Sequence, residues 1–459
     1  MSLHNWVTEE FKLSSFKDKR LENRFIKIAT AFSKAPASSI PKQSNDWSET
    51  KAAYRFFKNE NVHEDDFFRS HQARTVERSK NYNYILALQD TSVISYNGHS
   101  HDNGMGRTRA NAWGFFLHST IAVAPDGNFL GVLSNDIWAR TEKPREKKNG
   151  VIQYVEGVEK ESERWCRSAE NAAKLLGETT KIISIGDREC DFNEYYIRAH
   201  DCGAEFIVRQ NISRKILNSS ERSYEYVKQS PIRGSQEVVI TNKNRVEGQR
   251  SKSFRVCDEF GKCQRETTLY YQYAPIEINA KVGEYYQKIK LSIVRIFEDS
   301  DDSNSIDWCL LTSLDIDSFE AAKLVSTYYA MRWRIELFFK VMKSGCKAED
   351  CHLSTFNRMK KFVTLTTIIA WRISWLKYFS ELNPDESATN ILSDIETKIL
   401  CLTNKHKGEL TVSQSLLWIA KLGGHLNRKS DGPPGFQTIW LGMSRLYDLE
   451  QGYLLFQDS

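Results

Sequence analysis

The chain contains no run of about 18 apolar residues, so no membrane-spanning helix is expected. Its first residues, Met1-Ser-Leu-His-Asn-Trp-Val-Thr-Glu-Glu-Phe11, lack the apolar stretch of a secretory leader. The nine cysteines, at 166, 190, 202, 257, 263, 309, 346, 351 and 401, are odd in number and show no paired spacing. That argues against a disulfide framework and for free thiols in a reducing, cytoplasmic compartment. Charge of one sign is also scarce: 64 Lys and Arg against 59 Asp and Glu leave a net +5. So small a sum neither demands nor excludes nucleic acid, because local basic faces decide that. Proline (9) and glycine (23) are too few for a disordered or repetitive chain. At 459 residues, 40% hydrophobic and 27% charged, the chain reads as a soluble globular protein of two or three domains. Tryptophan is abundant, with eleven copies. Core packing is the usual use of tryptophan, and base stacking is another.

The most informative stretch runs from Lys323 to Lys347 and reads as one helix stopped at Gly345. Leu324, Tyr328, Met331, Ile335, Phe338 and Met342 fall on one apolar stripe. Tyr329, Arg332, Glu336, Lys340 and Lys343 fall on a second face, a single carboxylate among three cations and a phenol. Taken alone, that face is better explained by ion pairs one turn apart, Arg332–Glu336 and Glu336–Lys340, on an exposed helix. The rest of the chain reverses those odds.

Residues 1–70 read as helical. Leu21, Phe25, Ile28 and Phe32 form one apolar face, with Arg20, Arg24 and Lys27 on or beside the same helix. A basic helical module suits DNA, and a solvated helical cap explains these residues equally well. From Tyr84 onward come three strands: Tyr84–Tyr96 with Asp90 inside it, Gly114–Ala124, and Asn128–Trp138 after the turn Pro125-Asp-Gly127. The charged segment Arg140–Gly150 reads as a loop, Glu161–Leu176 as a helix, and Lys181–Asp187 as a second apolar strand ending in an acid. Another helix and the short strand Phe206–Arg209 come next. Residues 215–300 form a β-rich insertion, Asp307–Thr312 returns to a strand, and the last hundred or so residues read as helical.

The order β-β-β-α-β-α-β, with acids on the first and fourth strands, is that of an α/β ribonuclease-H-like core. In that fold the two strands are neighbours, so Asp90 and Asp187 are expected to meet. Joined by Glu336, they would make a cage for two hard divalent cations, with Mg²⁺ the best fit and Mn²⁺ tolerated. The expected division is a helical DNA-binding domain at 1–70, a catalytic domain at 71–350 built on a mixed five-stranded sheet and interrupted by the insertion, and a helical region at 351–459.

The chain resembles the bacterial cut-and-paste DDE transposases of the IS-four group, the Tn-five kind among them. The resemblance rests on Tyr329, Arg332, Glu336 and Lys343, spaced as in that group's Y-(2)-R-(3)-E-(6)-K pattern, and on Arg332-Trp-Arg-Ile-Glu336 and Lys340. It also rests on Asp187-Arg-Glu, on Asp90-Thr-Ser through Tyr96, on Ala53-Tyr-Arg-Phe-Phe-Lys, on the strand from Trp308, and on Phe206-Ile-Val-Arg209. The resemblance implies a transposase that binds transposon-end repeats, nicks DNA by two-metal phosphoryl transfer, excises through a hairpin, and joins 3′-hydroxyls to target DNA. Asp90, Asp187 and Glu336 would hold the metals, while Tyr329, Arg332, Lys340 and Lys343 would hold phosphates. Trp308 would stack on an extruded base, with Arg209 and Trp333 beside it. The helical ends would grip DNA and join a homodimer, in a bacterial cytoplasm with no membrane involved. The alternative is an inactive DNA-binding relic or inhibitor of a related transposase.

Overall fold

The computed structural model describes all residues except 1–5, 45, 97–102, 110–111, 141–144, 149–150, 155–159, 178, 218, 243–255, 258–262, 301–304, 352, 429–430 and 458–459. Five helices open it: α1 (Trp6–Glu10), α2 (Lys19–Lys34), α3 (Ile40–Gln43), α4 (Trp47–Lys58) and α5 (Asp65–Ser79). Asp18 starts α2 by accepting the Arg20 amide at 2.8 Å, and Asp46 starts α4 by accepting the Glu49 amide at 2.7 Å. Phe25, Ile28 and Phe32 of α2 are buried as their spacing requires, and the Phe25 ring stacks on Phe67 of α5 at 4.7 Å. That packing leaves Arg20 and Lys27 exposed and Arg24 half-buried. Residue 70 falls inside α5, which continues to Ser79 and packs on the core strand Phe129–Trp138.

The core comprises β1 (Tyr84–Tyr96), β2 (Gly106–Arg109), β3 (Ala112–Val123), β4 (Phe129–Trp138), β5 (Arg145–Lys148), β6 (Val151–Tyr154), α6 (Glu163–Leu176), β7 (Lys181–Gly186), α7 (Asn193–Asp201) and β8 (Glu205–Arg209). β3 runs antiparallel to β1 and β4, while β7 runs parallel to β1 and β8. The spatial order β4-β3-β1-β7-β8 is the mixed five-stranded arrangement of a ribonuclease-H-like core. The β3–β4 turn needs Gly127, whose φ is +95°. The segment read as a loop at Arg140–Gly150 contains β5, which pairs with β6 as a hairpin of its own. Its signal was Asn149-Gly150, the dipeptide that favours two-residue hairpin turns.

The insertion holds α8 (Ser223–Gln229), β9 (Gly234–Asn242), β10 (Val256–Cys257), β11 (Cys263–Val282) and β12 (Tyr285–Glu298), and the chain returns through β13 (Asp307–Thr312). These strands do not form a separate sheet. β12 pairs with β13 and β13 with β8, giving one 11-stranded sheet. Helices complete the chain: α9 (Phe319–Met331), α10 (Trp333–Lys340), α11 (Phe356–Leu382), α12 (Asp394–Thr403), α13 (Val412–Leu422) and α14 (Phe436–Gln457).

One face of the sheet, here the front, carries Leu86, Leu88, Ile185, Ile207, Val294 and Leu310 into a core shared with the N-terminal helices, α9 to α11 and α14. The back carries Ile85, Ala87, Ile182 and Phe206 against α6 and α7. The seven described cysteines are free. No helix among the described residues is long and apolar enough to cross a membrane.

Candidate active site

The β1–β7 ladder ends at the pair Leu88–Ile185. Asp90 and Asp187 each lie two residues beyond that pair, so they share a level and, by strand alternation, the front face. Arg209 lies two residues past Ile207, the β8 partner of Ile185. Trp308 lies two residues before Leu310, the β13 partner of Arg209. The sheet therefore sets Asp90, Asp187 and Arg209 at one level of the front face, with Trp308 one step beyond Arg209.

The third acid comes from the helix region, which is not the single regular helix expected over 323–347. It starts at Ser318, whose hydroxyl accepts the Ala321 amide at 3.3 Å. At Arg332 it tightens: the Arg332 amide bonds Tyr329 O at 3.0 Å and the Ile335 amide bonds Arg332 O at 3.1 Å, both three residues back. It then widens into one π turn, Val341–Gly345, closed by the Cys346 amide on Val341 O at 2.9 Å. The extra residue in that turn rotates the chain beyond it by about 100°. Of the expected apolar stripe, Tyr328, Ile335, Phe338 and Met342 are buried, Met331 is half-buried, and Leu324 is exposed.

Arg332, at the tightened turn, joins two of the acids. Its guanidinium lies 3.3 Å from Asp90 Oδ2 and donates to Glu336 Oε1 at 2.6 Å. Asp90 Oδ1 accepts the Thr91 amide at 2.7 Å. Burial pushes the Asp90 carboxyl up to about 7; Arg332 and the Thr91 amide oppose the rise, and the charges of Asp187 and Glu336 add to it. Asp187 caps the turn Arg188–Cys190 by accepting the Glu189 amide at 2.8 Å. Three carboxylates that act on one another suit hard divalent cations in donor chemistry. Among the described residues no three acidic, His or Cys side chains are gathered tightly enough to grip a metal as they stand. In place of the expected three-acid cage, Arg332 bridges Asp90 and Glu336, while Asp187 caps its own turn.

Trp308 is half-buried, its ring 5.2 Å from that of Tyr329 at an interplanar angle of 73°, with the Arg209 guanidinium 6.0 Å away. Arg209 Nε is buried without a hydrogen-bond partner. Tyr329 is only 5% exposed, so it lines the site from below instead of standing in an exposed row. Lys340 is exposed, and Lys343, in the π turn, lies 4.0 Å from Glu349. Trp333 is 55% exposed, and among the described residues no ring contact joins it to Trp308. Glu349 was not legible in the sequence, lying in no motif; it also accepts the Ser95 amide at 3.0 Å, tying the far end of β1 to the π turn.

Residues 3–62 match the family model described as transposase DNA-binding, and residues 159–372 match that described as transposase DDE domain. The two segments are a DNA-binding domain and a DDE domain of the transposase kind, and such DDE domains use divalent metal ions. Asp187 and Glu336 lie inside the second match, and Asp90 lies before it. Among solved structures the chain is similar to the piggyBac transposase in a synaptic complex with hairpin DNA, with a TM-score of 0.38 and 10% identity, over 98% of this chain and 77% of that one.

Proposed function

We propose that this chain, which joins a transposase DNA-binding domain to a DDE domain, is a bacterial cut-and-paste transposase of the IS-four group. It would nick DNA at transposon ends, excise the element through a hairpin, and join its 3′-hydroxyls to target DNA, acting as a dimer in the cytoplasm. The observation that carries this reading is the shared guanidinium: Asp90 on β1 and Glu336 on α10 meet at Arg332 beside Asp187. Asp90, Asp187 and Glu336 would hold Mg²⁺ or Mn²⁺. Such ions, when bound, activate the attacking water or 3′-hydroxyl and stabilise the leaving oxygen.

The chain's own residues supply the rest. Arg332 neutralises the carboxylates without metal, and its fork also fits a phosphate, so it can turn from acids to scissile strand when DNA arrives. Lys340 and Lys343 extend the cationic track along the backbone. Trp308 presents a half-buried ring to a base drawn out of the duplex, and the unpartnered Nε of Arg209 offers that nucleotide a donor. Extrusion suits hairpin formation, because a liberated 3′-hydroxyl must bend sharply to reach the opposite strand. Residues 1–70, with Arg20, Arg24 and Lys27, grip the end sequence, residues 71–350 catalyse, and residues 351–459 join the protomers.

The test is Glu336→Gln in the full chain. Mg²⁺-dependent nicking of end DNA should be abolished while the DNA mobility shift is retained. Nicking within a few-fold of wild type would overturn the assignment, and loss of binding and nicking together would point to misfolding.

A further inference from the structure

Directly behind the acids, on the back face of the same strands, runs a line of polar side chains that the proposed chemistry does not use. The Thr91 hydroxyl meets His118 Nδ1 at 2.8 Å, His118 Nε2 meets Gln89 Oε1 at 3.2 Å, and Gln89 Nε2 donates to Ser184 Oγ at 2.7 Å. Gln89, His118 and Ser184 are fully buried. The contacts fall into one donor order: the threonine hydroxyl donates to Nδ1, Nε2–H donates to the glutamine oxygen, and the glutamine amide donates to serine. With the ring neutral, Nε2 carries the proton and Nδ1 accepts. Burial holds the imidazole pKa well below its ordinary value, and Arg164 and Arg167 push it the same way.

The position of this line gives it meaning. It crosses β3, β1 and β7 at the level where the β1–β7 backbone ladder stops, at Leu88–Ile185. Among the described residues the paired register stops there, and Asp90 and Asp187 lie just beyond it. The Gln89–Ser184 bond therefore ties the two acid-bearing strands through their side chains beside the last pair of the ladder. Thr91, adjacent to Asp90, anchors the line to β3, where it is paired with His118. A polar line fully satisfied in the core fixes geometry that apolar packing would leave looser.

We propose that Thr91, His118, Gln89 and Ser184 are positioning residues that set the spacing of Asp90 and Asp187 for a divalent cation. This rests on the metal-binding reading above. It is tested by Mn²⁺ titration of the full chain followed by electron paramagnetic resonance, without DNA and without turnover, alongside thermal unfolding. Asp90→Asn should abolish the tight Mn²⁺ site. Thr91→Val keeps shape and removes the hydroxyl that Nδ1 receives, and it should weaken Mn²⁺ binding by about 10-fold or more, the usual effect of losing an outer partner of a ligand. Thr91→Ser, which restores the hydroxyl, should return affinity to near wild type. His118→Phe should behave like Thr91→Val if it folds; the threonine pair decides the matter if it does not. Mn²⁺ affinity in Thr91→Val equal to wild type, or the same loss in Thr91→Ser, overturns the positioning role alone. Mn²⁺ binding that survives Asp90→Asn overturns the metal reading and this inference with it.

Discussion

Trp308 stands where an apolar strand meets the site: Cys309 and Leu310 behind it are buried, while its own ring is half-buried against Tyr329. A tryptophan serving only this face of the core would sit two residues further in, at the level of Leu310. Stacking on a base is worth roughly 1–3 kcal/mol, so Trp308→Ala should slow hairpin formation by about 5- to 150-fold. First-strand nicking needs no sharp bend and should change far less. An abasic nucleotide at the extruded position should restore part of the hairpin rate. Single-turnover assays on pre-nicked ends separate the two steps, and equal slowing of both would refute the stacking role. The neighbouring placement of Asp90 and Asp187 was legible in the sequence because each closes a largely apolar run on one of two adjacent strands. The resting partner of Asp90 was not legible. Helical periodicity places Arg332 one turn from Glu336, but nothing in it says that a strand 242 residues earlier delivers a carboxylate to the same guanidinium.

Among the elements, α1 is only five residues long and is held by a buried ion pair as well as by the buried Val7. Its Glu10 is buried, with Oε1 2.5 Å from His71 Nδ1 on α5 and Oε2 2.8 Å from Arg78 Nη1. His71 Nε2 accepts the Val132 amide at 2.9 Å, so the cluster also grips β4. Burial works to raise the Glu10 pKa, but Arg78 and His71 outweigh it and bring it from 4.5 down to about 2. A carboxyl depressed in the folded state contributes stability above its unfolded pKa and loses it as pH falls through the folded value. The contribution, up to about 3 kcal/mol, should be complete above about pH 4.5 and vanish near pH 2. Urea midpoints should fall across that window in wild type and fall less steeply in Glu10→Gln, which starts lower at pH 7. Parallel slopes would show that the cluster does not set acid stability. The tightened turn at Arg332 and the π turn at Val341–Gly345 were beyond sequence reading for a related reason. Both are changes of hydrogen-bond partner by one residue, and side-chain spacing does not record them. α14 lies within the last hundred or so residues that read as helical, but its own bounds did not stand out because its apolar residues are spread around it: Ile439, Trp440 and Leu446 are buried, while Leu441 and Leu449 are exposed. It crosses α13 so closely that a Cβ on Gly442 would lie 1.8 Å from Ile419 O.

At the scale of the whole molecule, an N-terminal helix and the last helix are joined. Lys34 of α2 bonds Glu450 of α14 at 2.8 Å, and Phe32 of α2 packs on Phe362 of α11 at 5.4 Å. The N-terminal helices are thus finished by residues more than 300 positions later. The insertion was legible as β-rich from its alternating Val, Ile, Thr and Tyr, but not as part of the main sheet, because pairing partners are not written in a strand's own alternation.

That continuity gives the insertion a protective duty. A sheet ending at β8, or at β13 alone, would present an open row of amides and carbonyls to any passing strand, the usual beginning of edge-to-edge aggregation. β12 covers the flank of β13 over six residue pairs, from Ser292–Thr312 to Phe297–Asp307. Replacing residues 215–300 with a short flexible linker should therefore yield a protein that sediments as large assemblies, with the rest of the sheet intact by far-ultraviolet circular dichroism. A monodisperse shortened protein would show that β13 can guard the margin unaided. The segment that looks most dispensable in the sequence would then be the one that keeps the catalytic sheet from recruiting its neighbours.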